Sequence, residues 1–271
     1  MKLHGRVAVI TGAASGIGRG IAMAAAKRGC DLALADLNLQ GLAETADMAP
    51  GVKISTHRLD VSDREAVAAF PQQVLAEHGR ADILVNNAGV AIGGTFEQVS
   101  EEDFDWLMGI NFQGVVRMTR AFLPHLKARD EARIVNISSV FGLIAPPGQT
   151  AYSASKFAVR GFSEALRKEL EMEGSKVGVT VVHPGGVRTS IANSARPPAL
   201  ANADQLEEMA KNKDRFQKFL RMPPEQAGEI IVSGIEKKRA RVIVGNDAKF
   251  MALVERIAPV AYWKLIGRGI K

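Results

Sequence analysis

The sequence predicts an α/β fold in which a doubly wound parallel sheet of about seven strands is flanked by helices. Short apolar runs alternate with longer helical patterns, which is typical of a parallel sheet covered on both faces. The composition suits a single domain over residues 1–271, because 46% of the side chains are hydrophobic, 24% are charged and no low-complexity stretch divides the chain. The expected strands lie near residues 6–11, 31–36, 53–59, 82–86, 132–138, 178–183 and 241–245.

A glycine-rich turn closes the first expected strand and leads into an alanine-rich helix. Glycine allows a left-handed backbone and close approach of a ligand, while the first N–H groups of the following helix attract an anion. The spacing of Gly12, Gly16 and Gly18 differs from the G-x-G-x-x-G fingerprint of dinucleotide sites, but strand, turn and helix follow in the required order. The turn indicates a phosphate site, with a simple tight corner as the alternative.

Asp36 ends the second expected strand. A carboxylate at this place can accept hydrogen bonds from the adenosine ribose hydroxyls and would repel a 2′-phosphate. No basic residue stands at Ser15 or Leu37 to compensate. We therefore predict NAD rather than NADP as the cofactor. The alternative is that Asp36 only caps a helix that begins near Asn38.

Ser139, Tyr152 and Lys156 form the most specific group in the sequence. Tyr152 and Lys156 are four residues apart, so a helix from Tyr152 to about Met172 would place both side chains on one face. The pKa of a free tyrosine is about 10, but a neighbouring ammonium group and an oxidised nicotinamide favour the phenolate. Tyr152 is therefore a candidate general acid and base. A Tyr-x-x-x-Lys pair on its own would more often be a surface pair.

Further motifs follow in a fixed order along the chain. They are Thr11–Gly18 as Thr-Gly-x-x-x-Gly-x-Gly, Asp60 in Leu-Asp-Val, Asn86–Gly89 as Asn-Asn-Ala-Gly, Asn111 in Asn-Phe-Gln-Gly, Ser139 in Asn-Ile-Ser-Ser, and His183–Thr189 as His-Pro-Gly-Gly-Val-Arg-Thr. With these motifs and the Tyr152 and Lys156 pair, the chain resembles the single-domain type of the short-chain dehydrogenase/reductase family over nearly all of residues 5–246. The resemblance implies a Rossmann-like sheet with the strand order 3-2-1-4-5-6-7.

The resemblance also implies the reaction and its residues. The reaction is hydride transfer between a nicotinamide and a secondary alcohol or ketone. Ser139 would bind the substrate oxygen, Tyr152 would exchange its proton, Lys156 would hold the nicotinamide ribose and lower the tyrosine pKa, and Asn111 would position a water. The substrate would contact Ser139, Phe141, Leu143, Tyr152 and Val187. The cofactor would contact Gly12, Ser15, Gly16, Ile17, Gly18, Asp36, Asp60, Val61, Asn87, Ala88, Gly89, Tyr152, Lys156, Pro184, Gly185, Val187 and Thr189.

Residues 190–222 interrupt the alternation of strands and helices, at the place where the family keeps a helical substrate lid. An apolar stripe of Leu206, Met209, Phe216 and Leu220, with Phe219 beside it, favours an uncharged, fairly hydrophobic secondary alcohol or ketone, although the stripe could simply pack on the domain. Four basic residues would instead suit an anionic substrate: Arg196, Lys211, Lys213 and Lys218. An acyl-thioester substrate is another alternative.

A different function is also considered, that of a regulatory or scaffold protein that binds NAD without catalysis. The intact set of Asn111, Ser139, Tyr152 and Lys156 argues against this function.

Residues 247–271 are a basic, amphipathic C-terminal extension. From Glu236 to Lys271, nine Lys or Arg residues outnumber three Asp or Glu residues, so this segment carries the whole formal net charge of +6. The extension is too short and too charged to span a bilayer. Packing on this subunit or on a neighbour is favoured, and contact with an anionic membrane surface is the alternative. Nucleic-acid binding is not expected, since no recognised motif accompanies the charge.

Cysteine usage and the beginning of the sequence bear on the compartment. The single cysteine, Cys30, excludes an internal disulfide, and no cluster of His or Cys residues suggests a metal. The first strand begins near Val7, and no apolar signal segment precedes it. A cytoplasmic location is expected. By resemblance, the partners are a small-molecule substrate and further copies of the chain, as a homodimer or a homotetramer.

Overall fold

A parallel sheet of seven strands forms the centre of the computed structural model, which describes residues 1–189, 191, 194–207, 209, 211 and 220–267. The strands are β1 Val7–Thr11, β2 Asp31–Asp36, β3 Ile54–Arg58, β4 Ile83–Asn86, β5 Ala132–Ile137, β6 Val177–Pro184 and β7 Arg241–Val244. Their order in the sheet is β3-β2-β1-β4-β5-β6-β7, which confirms the predicted doubly wound topology. The order reverses between β1 and β4, and this is where such sheets bind ligands.

Helices cover both faces of the sheet. In the described part of the chain they are α1 Gly16–Ala26, α2 Leu39–Asp47, α3 Arg64–His78, α4 Glu101–Met108, α5 Gly114–Lys127, α6 Thr150–Met172, α7 Pro224–Glu236, α8 Asn246–Ile257 and α9 Tyr262–Ile266. Side chains of β1 alternate between the two cores. Ala8 and Ile10 join the cluster that includes α1 and α7, whereas Val9 joins the cluster that includes α3, α5 and α6.

The long helical region around Asn111 is not one regular α-helix. Gly109–Gln113 forms a single π-helical turn between α4 and α5. A π-turn inserts an extra residue into the helix and often marks a functional position. The turn changes the direction of the Asn111 side chain relative to a continuous α-helix, and Asn111 is buried in it.

The C-terminal extension packs on the segment that follows β5. Ala248 and Met251 of α8, with Tyr262 and Ile266 of α9, share an apolar cluster with four residues of that segment and of β7: Val140, Phe141, Ile144 and Ile243. The Tyr262 hydroxyl accepts a hydrogen bond from the Ala145 backbone N–H at 2.9 Å. The helix α8 ends at Ile257, before Pro259, as the proline predicts.

Only part of the expected lid can be placed. Residues 203–207 are helical, and Met209 lies close to Gly93. Phe216, Phe219, Lys213 and Lys218 lie outside the described residues. Within the described ranges, no helix combines the length and the apolar character needed to cross a membrane.

Candidate active site

The glycine-rich turn between β1 and α1 is shaped for a close ligand. Gly12 has φ +65° and Gly16 has φ +54°, in the left-handed region that favours glycine. A Cβ atom at Gly18 would lie 2.1 Å from the Gly12 carbonyl oxygen, so a side chain has no room there. The Ser15 side chain does not cap α1, and the first turn of α1 has no acidic residue. The first N–H groups of α1 are thus available to an anion, and the turn fits the pyrophosphate of a dinucleotide.

Asp36 is held in place at the end of β2 by two backbone groups. Its carboxylate accepts hydrogen bonds from the N–H of Ala14 at 3.1 Å and from the N–H of Asn38 at 3.0 Å. The alternative that Asp36 caps α2 is wrong, because Asn38 is the cap and accepts a hydrogen bond from the Gly41 N–H at 3.0 Å. The carboxylate therefore stands beside the glycine-rich turn, where an adenosine ribose would lie.

Hydrogen bonds of Thr11 and Asn87 join the loops after β1 and β4. The Thr11 hydroxyl oxygen accepts hydrogen bonds from the N–H of Asn87 at 3.0 Å and of Ala88 at 3.1 Å. The Asn87 amide donates to the carbonyl oxygens of Thr11 at 2.9 Å and of Gly12 at 3.0 Å. The Asn-Asn-Ala-Gly motif thus stabilises the glycine-rich turn through hydrogen bonds to Thr11 and Gly12.

Two other predicted cofactor residues take different positions around the turn. A Cβ atom at Gly16 would lie 3.1 Å from the methyl group of Thr189, so the loop after β6 reaches over the glycine-rich turn. The Asp60 carboxylate accepts hydrogen bonds from the N–H and the hydroxyl of Ser62, at 2.8 and 2.7 Å. These bonds fix the loop after β3 at the same edge of the sheet.

Ser139, Tyr152 and Lys156 meet at the carboxyl end of β5. The Ser139 hydroxyl oxygen accepts a hydrogen bond from the Phe141 N–H at 3.1 Å, and the hydroxyl interacts with the Tyr152 phenol. The Lys156 ammonium lies 5.5 Å from the centre of the Tyr152 ring and donates to the Ile137 carbonyl oxygen at 3.2 Å. The i, i+4 spacing on α6 therefore places both heads beside the serine, as predicted.

Burial sets the proton affinities of the pair. Loss of solvent raises the pKa of Tyr152 to about 12, and the interaction with Ser139 offsets part of that rise. Burial lowers the pKa of Lys156 to about 8. That Lys156 lowers the tyrosine pKa when the cofactor is bound stays a prediction. Without the cofactor, loss of solvent disfavours both charged forms, and the Lys156 ammonium donates to the Ile137 carbonyl oxygen.

Asn111 lies next to Lys156, and its side-chain oxygen and nitrogen both make hydrogen bonds. Its side-chain oxygen accepts from the Val90 N–H at 2.8 Å, and its amide donates to the Val90 carbonyl oxygen at 3.0 Å and to the Ser155 hydroxyl at 3.2 Å. A Cβ atom at Gly89 would lie 3.2 Å from the Asn111 oxygen and 3.5 Å from the Lys156 nitrogen. The structure thus brings the four predicted catalytic residues into one region.

Two residues beside the site were not predicted to act in it. His183 is buried, and its Nδ1 lies 2.9 Å from the Ser139 carbonyl oxygen. A carbonyl oxygen only accepts, so Nδ1 carries the proton, and Nε2 has no hydrogen-bond partner among the described residues. Burial lowers the pKa of His183 to about 4. The Asp247 carboxylate of α8 accepts from the Gly186 N–H. His183 stands in the His-Pro-Gly-Gly-Val-Arg-Thr motif, whereas no sequence signal links Asp247 to Gly186.

The predicted substrate residues differ in accessibility. Phe141 is half-buried and packs edge-to-face on Tyr152, with ring centres 6.2 Å apart. Leu143 and Val187 are buried, and Val187 belongs to the core cluster around α1 and α7. Phe141 is thus the predicted apolar residue that presents a surface next to the tyrosine.

Two of the basic residues that could bind an anionic substrate form ion pairs with carboxylates of this chain. The Arg196 guanidinium lies 4.0 Å from the centre of the Trp106 ring and 2.8 Å from the Asp103 carboxylate. Lys211 lies 2.6 Å from the Glu207 carboxylate. Neither cation is directed at Tyr152 by these contacts.

Comparisons with known proteins agree with this geometry. The family model described as short chain dehydrogenase matches residues 6–199. The chain is 44% identical over 271 residues to SadH, a Mycobacterium tuberculosis protein described as an oxidoreductase, covering 99% of this chain and 96% of that protein. It is 36% identical over 208 residues to the 3-oxoacyl-[acyl-carrier-protein] reductase FabG of Thermotoga maritima, covering 74% and 83% of the two chains.

A solved structure is similar over almost the whole chain. It is a short-chain dehydrogenase/reductase from Burkholderia phymatum in complex with NAD, with a TM-score of 0.86 and 32% identity, covering 96% of this chain and 95% of that chain. An alcohol dehydrogenase from Thermococcus sibiricus, complexed with 5-hydroxy-NADP, has a TM-score of 0.72 and 30% identity, covering 89% and 94%. With this sheet order, the glycine-rich turn and the extent of the matches, the chain is an oxidoreductase that belongs to the short-chain dehydrogenase family.

Proposed function

We propose that the protein is a NAD-dependent oxidoreductase that transfers a hydride between the nicotinamide and an uncharged, fairly hydrophobic secondary alcohol or ketone. One observation carries the proposal. Ser139, Tyr152 and Lys156 converge at the carboxyl end of β5, on the same edge of the sheet as the glycine-rich turn. The nicotinamide supplies or accepts the hydride when bound. The protein has to bind the substrate, orient it against the nicotinamide and transfer a proton to or from the substrate oxygen.

Tyr152 is the proposed proton donor for ketone reduction. Its raised pKa keeps the phenol protonated near neutral pH, and this is the form that can give a proton to a developing alkoxide. In the oxidative direction the phenolate must form first. A cationic nicotinamide and the ammonium of Lys156 would both favour that ionisation.

Ser139 and Lys156 are the proposed positioning groups on either side of the phenol. The Ser139 oxygen accepts from the Phe141 N–H, and its one hydroxyl hydrogen, which interacts with the Tyr152 phenol in the absence of substrate, would be donated to the oxygen of a bound substrate. Lys156 uses one of its three N–H donors on the Ile137 carbonyl oxygen. The two remaining donors can hold the nicotinamide ribose.

We propose NAD rather than NADP because of Asp36. Its carboxylate is fixed by two backbone N–H groups beside the turn, and a 2′-phosphate placed there would meet a negative charge. The NAD complex of the similar Burkholderia phymatum structure supports this choice. Asp36→Ala should narrow the difference between the Kd values for NAD and NADP, and an unchanged ratio would overturn the assignment.

The proposed substrate class follows from Phe141 and from the engaged basic residues. Phe141 offers an apolar surface at the Tyr152 ring, and Arg196 and Lys211 are paired with carboxylates. A 3-oxoacyl thioester is the second candidate, since the similar Thermotoga maritima protein is named for such a substrate. Residues 190–222 are proposed to close over the substrate in either case.

The test is nicotinamide reduction or oxidation by the purified protein. A panel of aliphatic, cyclic, aromatic and steroidal secondary alcohols, together with a 3-oxoacyl thioester and an anionic ketone, would be offered with NAD(H) and with NADP(H). We expect turnover with NAD(H) and an uncharged hydrophobic substrate. Turnover confined to the thioester would select the second candidate. Tight NAD binding with no turnover across the panel would favour a regulatory or scaffold role.

We also propose a homo-oligomer, in line with the family. The groove between α5 and α6 has four apolar side chains in its lining, beside Thr119, Arg120, Pro124 and Lys127, and this apolar part suits helix-to-helix packing between copies: Val116, Leu123, Phe162 and Leu166. Sedimentation velocity of the purified protein would distinguish a monomer from a dimer or tetramer.

A further inference from the structure

The helix α8 presents an apolar side to solvent. Phe250, Leu253 and Ile257 are three and four residues apart, so they share one face of the helix, and 59%, 55% and 75% of their surfaces are exposed. Two further apolar side chains follow shortly after α8 in the sequence and are also exposed, Val260 at 92% and Leu265 at 63%. These five side chains are here named the outer stripe.

The outer stripe is not needed to hold the extension on the domain. Ala248 and Met251, on other sides of α8, and Tyr262 and Ile266 of α9 make the contacts with the segment after β5. The Tyr262 hydroxyl adds its hydrogen bond to the Ala145 backbone. The extension is therefore anchored by its inner side, and five large apolar side chains remain outside.

Basic side chains border the outer stripe. Lys249 and Arg256 each precede a stripe residue on α8, so both stand about 100° around the helix from it and on the same side. Lys264 precedes Leu265. Among the described residues, no carboxylate pairs with any of these three side chains.

The acidic residues of α8 do not offset this charge. Asp247 is directed to the Gly186 N–H. Glu255 is half-buried and lies about 140° around the helix from Phe250, on the side turned away from the stripe. The exposed surface is therefore apolar in the middle and positive along one edge.

We propose that the outer stripe docks the protein on an anionic lipid surface. Apolar side chains bordered by lysine and arginine are the pattern of helices that lie in the membrane interface, where the apolar side enters the acyl boundary and the cations contact anionic headgroups. A second copy of the chain fits less well, because pairing this surface with itself would bring together two C-terminal extensions, residues 247–271, that each carry a formal net charge of +3. The docking is peripheral and does not depend on the proposed reaction.

The experiment measures co-sedimentation of the full-length protein with vesicles. One set contains phosphatidylglycerol and phosphatidylcholine, and the other contains phosphatidylcholine alone. We expect binding to the anionic vesicles that weakens as salt is added, and little binding to the neutral ones. Ile257→Ser and Arg256→Glu should each weaken the partitioning by about tenfold.

Matched controls change equally exposed residues elsewhere. Met172→Ser removes an exposed apolar side chain at the end of α6, and Lys176→Glu reverses an exposed charge before β6. Both should bind vesicles as the wild type does, and all four variants should keep the wild-type Kd for NAD, which shows that they are folded. Failure of the wild type to bind anionic vesicles would overturn the proposal. So would equal loss in the controls, or a fall in oligomer size caused by Ile257→Ser with vesicle binding unchanged.

Discussion

The Asp247 carboxylate accepts a hydrogen bond from the Gly186 backbone N–H at 2.6 Å. The bond joins the first turn of α8 to the loop after β6, which belongs to the predicted cofactor site. A Cβ atom at Gly185 would lie 2.3 Å from the same carboxylate, so the contact also requires glycine there. The C-terminal extension therefore supports the loop that carries Val187 and Thr189.

Asp247→Ala is expected to loosen this loop and to weaken NAD binding. A hydrogen bond to a charged group contributes about 1.5–3 kcal/mol, and this exposed one should lie at or below the lower end of that range, so the Kd for NAD should rise by up to about tenfold. Isothermal titration calorimetry would measure the Kd for NAD of the wild type and of the variant.

Asp247→Asn keeps an oxygen acceptor and should lose less affinity. Glu255→Ala removes the other carboxylate of α8 and is the control, with an expected Kd close to that of the wild type. Equal losses in the Asp247→Ala and Glu255→Ala variants would contradict the role of the contact with Gly186.

Asp82 should be the most costly carboxylate to remove for stability. It is fully buried before β4 and accepts from the Val7 N–H at 2.9 Å and from Arg80 at 2.7 and 2.6 Å, with Arg6 and Arg129 each at 3.3 Å. Asp82→Ala leaves these donors without their acceptor and should lower the free energy of unfolding by about 3–5 kcal/mol. Urea unfolding would measure it.

Asp130→Ala is the matched control for Asp82. Asp130 also pairs with Arg6, at 2.9 Å, but 65% of its side chain is exposed, and exposed pairs contribute little. The change in unfolding free energy should be much smaller than for Asp82→Ala. Similar values for the two variants would contradict the importance of burial.

His183 should make stability depend on pH in the acid range. The pKa of His183 is lowered from 6.5 to about 4, so between these values the unfolded chain binds more protons than the folded one. The free energy of unfolding therefore falls as the pH falls through this window, by up to about 1.4 kcal/mol per pH unit from this residue.

The His183→Asn variant lacks the imidazole and should show a correspondingly shallower slope. Urea unfolding of both proteins at several pH values across the window would measure the two slopes. Parallel curves for the wild type and the variant would show that His183 is not held neutral by the fold.

Arg196 is expected to contribute more to substrate binding than to cofactor binding. It fastens the segment after β6 to α4 through Asp103 and the Trp106 ring. Arg196→Ala should raise the KM for the substrate several-fold and leave the Kd for NAD unchanged, because the contact lies on the expected lid and not on the glycine-rich turn. Steady-state kinetics would measure it once a substrate is known. Lys211→Ala, which removes an exposed helical pair, should leave KM unchanged.

The sequence predicts the sheet well because each strand is a short apolar run between helical patterns. The strand order came from the family resemblance and is confirmed. Local spacing also places Tyr152 and Lys156 on one face of α6.

Features that depend on distant residues were not predicted. The π-turn at Asn111 has no periodic signal of its own, since its residues continue a helical pattern. The bond between Asp247 and Gly186 joins positions 61 residues apart, and nothing local marks it. The direction of the Tyr152 pKa depends on how deeply the fold buries the phenol, which a spacing of four residues cannot indicate.

The most direct test of the proposed chemistry is turnover by Tyr152→Phe beside its affinity for NAD. The substitution removes the phenol oxygen that is proposed to give and take the proton, while the aromatic ring remains to pack on Phe141. We expect turnover to fall by about 10²–10⁴-fold, as for loss of a general acid and base, with the Kd for NAD nearly unchanged. Turnover at the wild-type rate in this variant would contradict the assignment of Tyr152 as the proton donor.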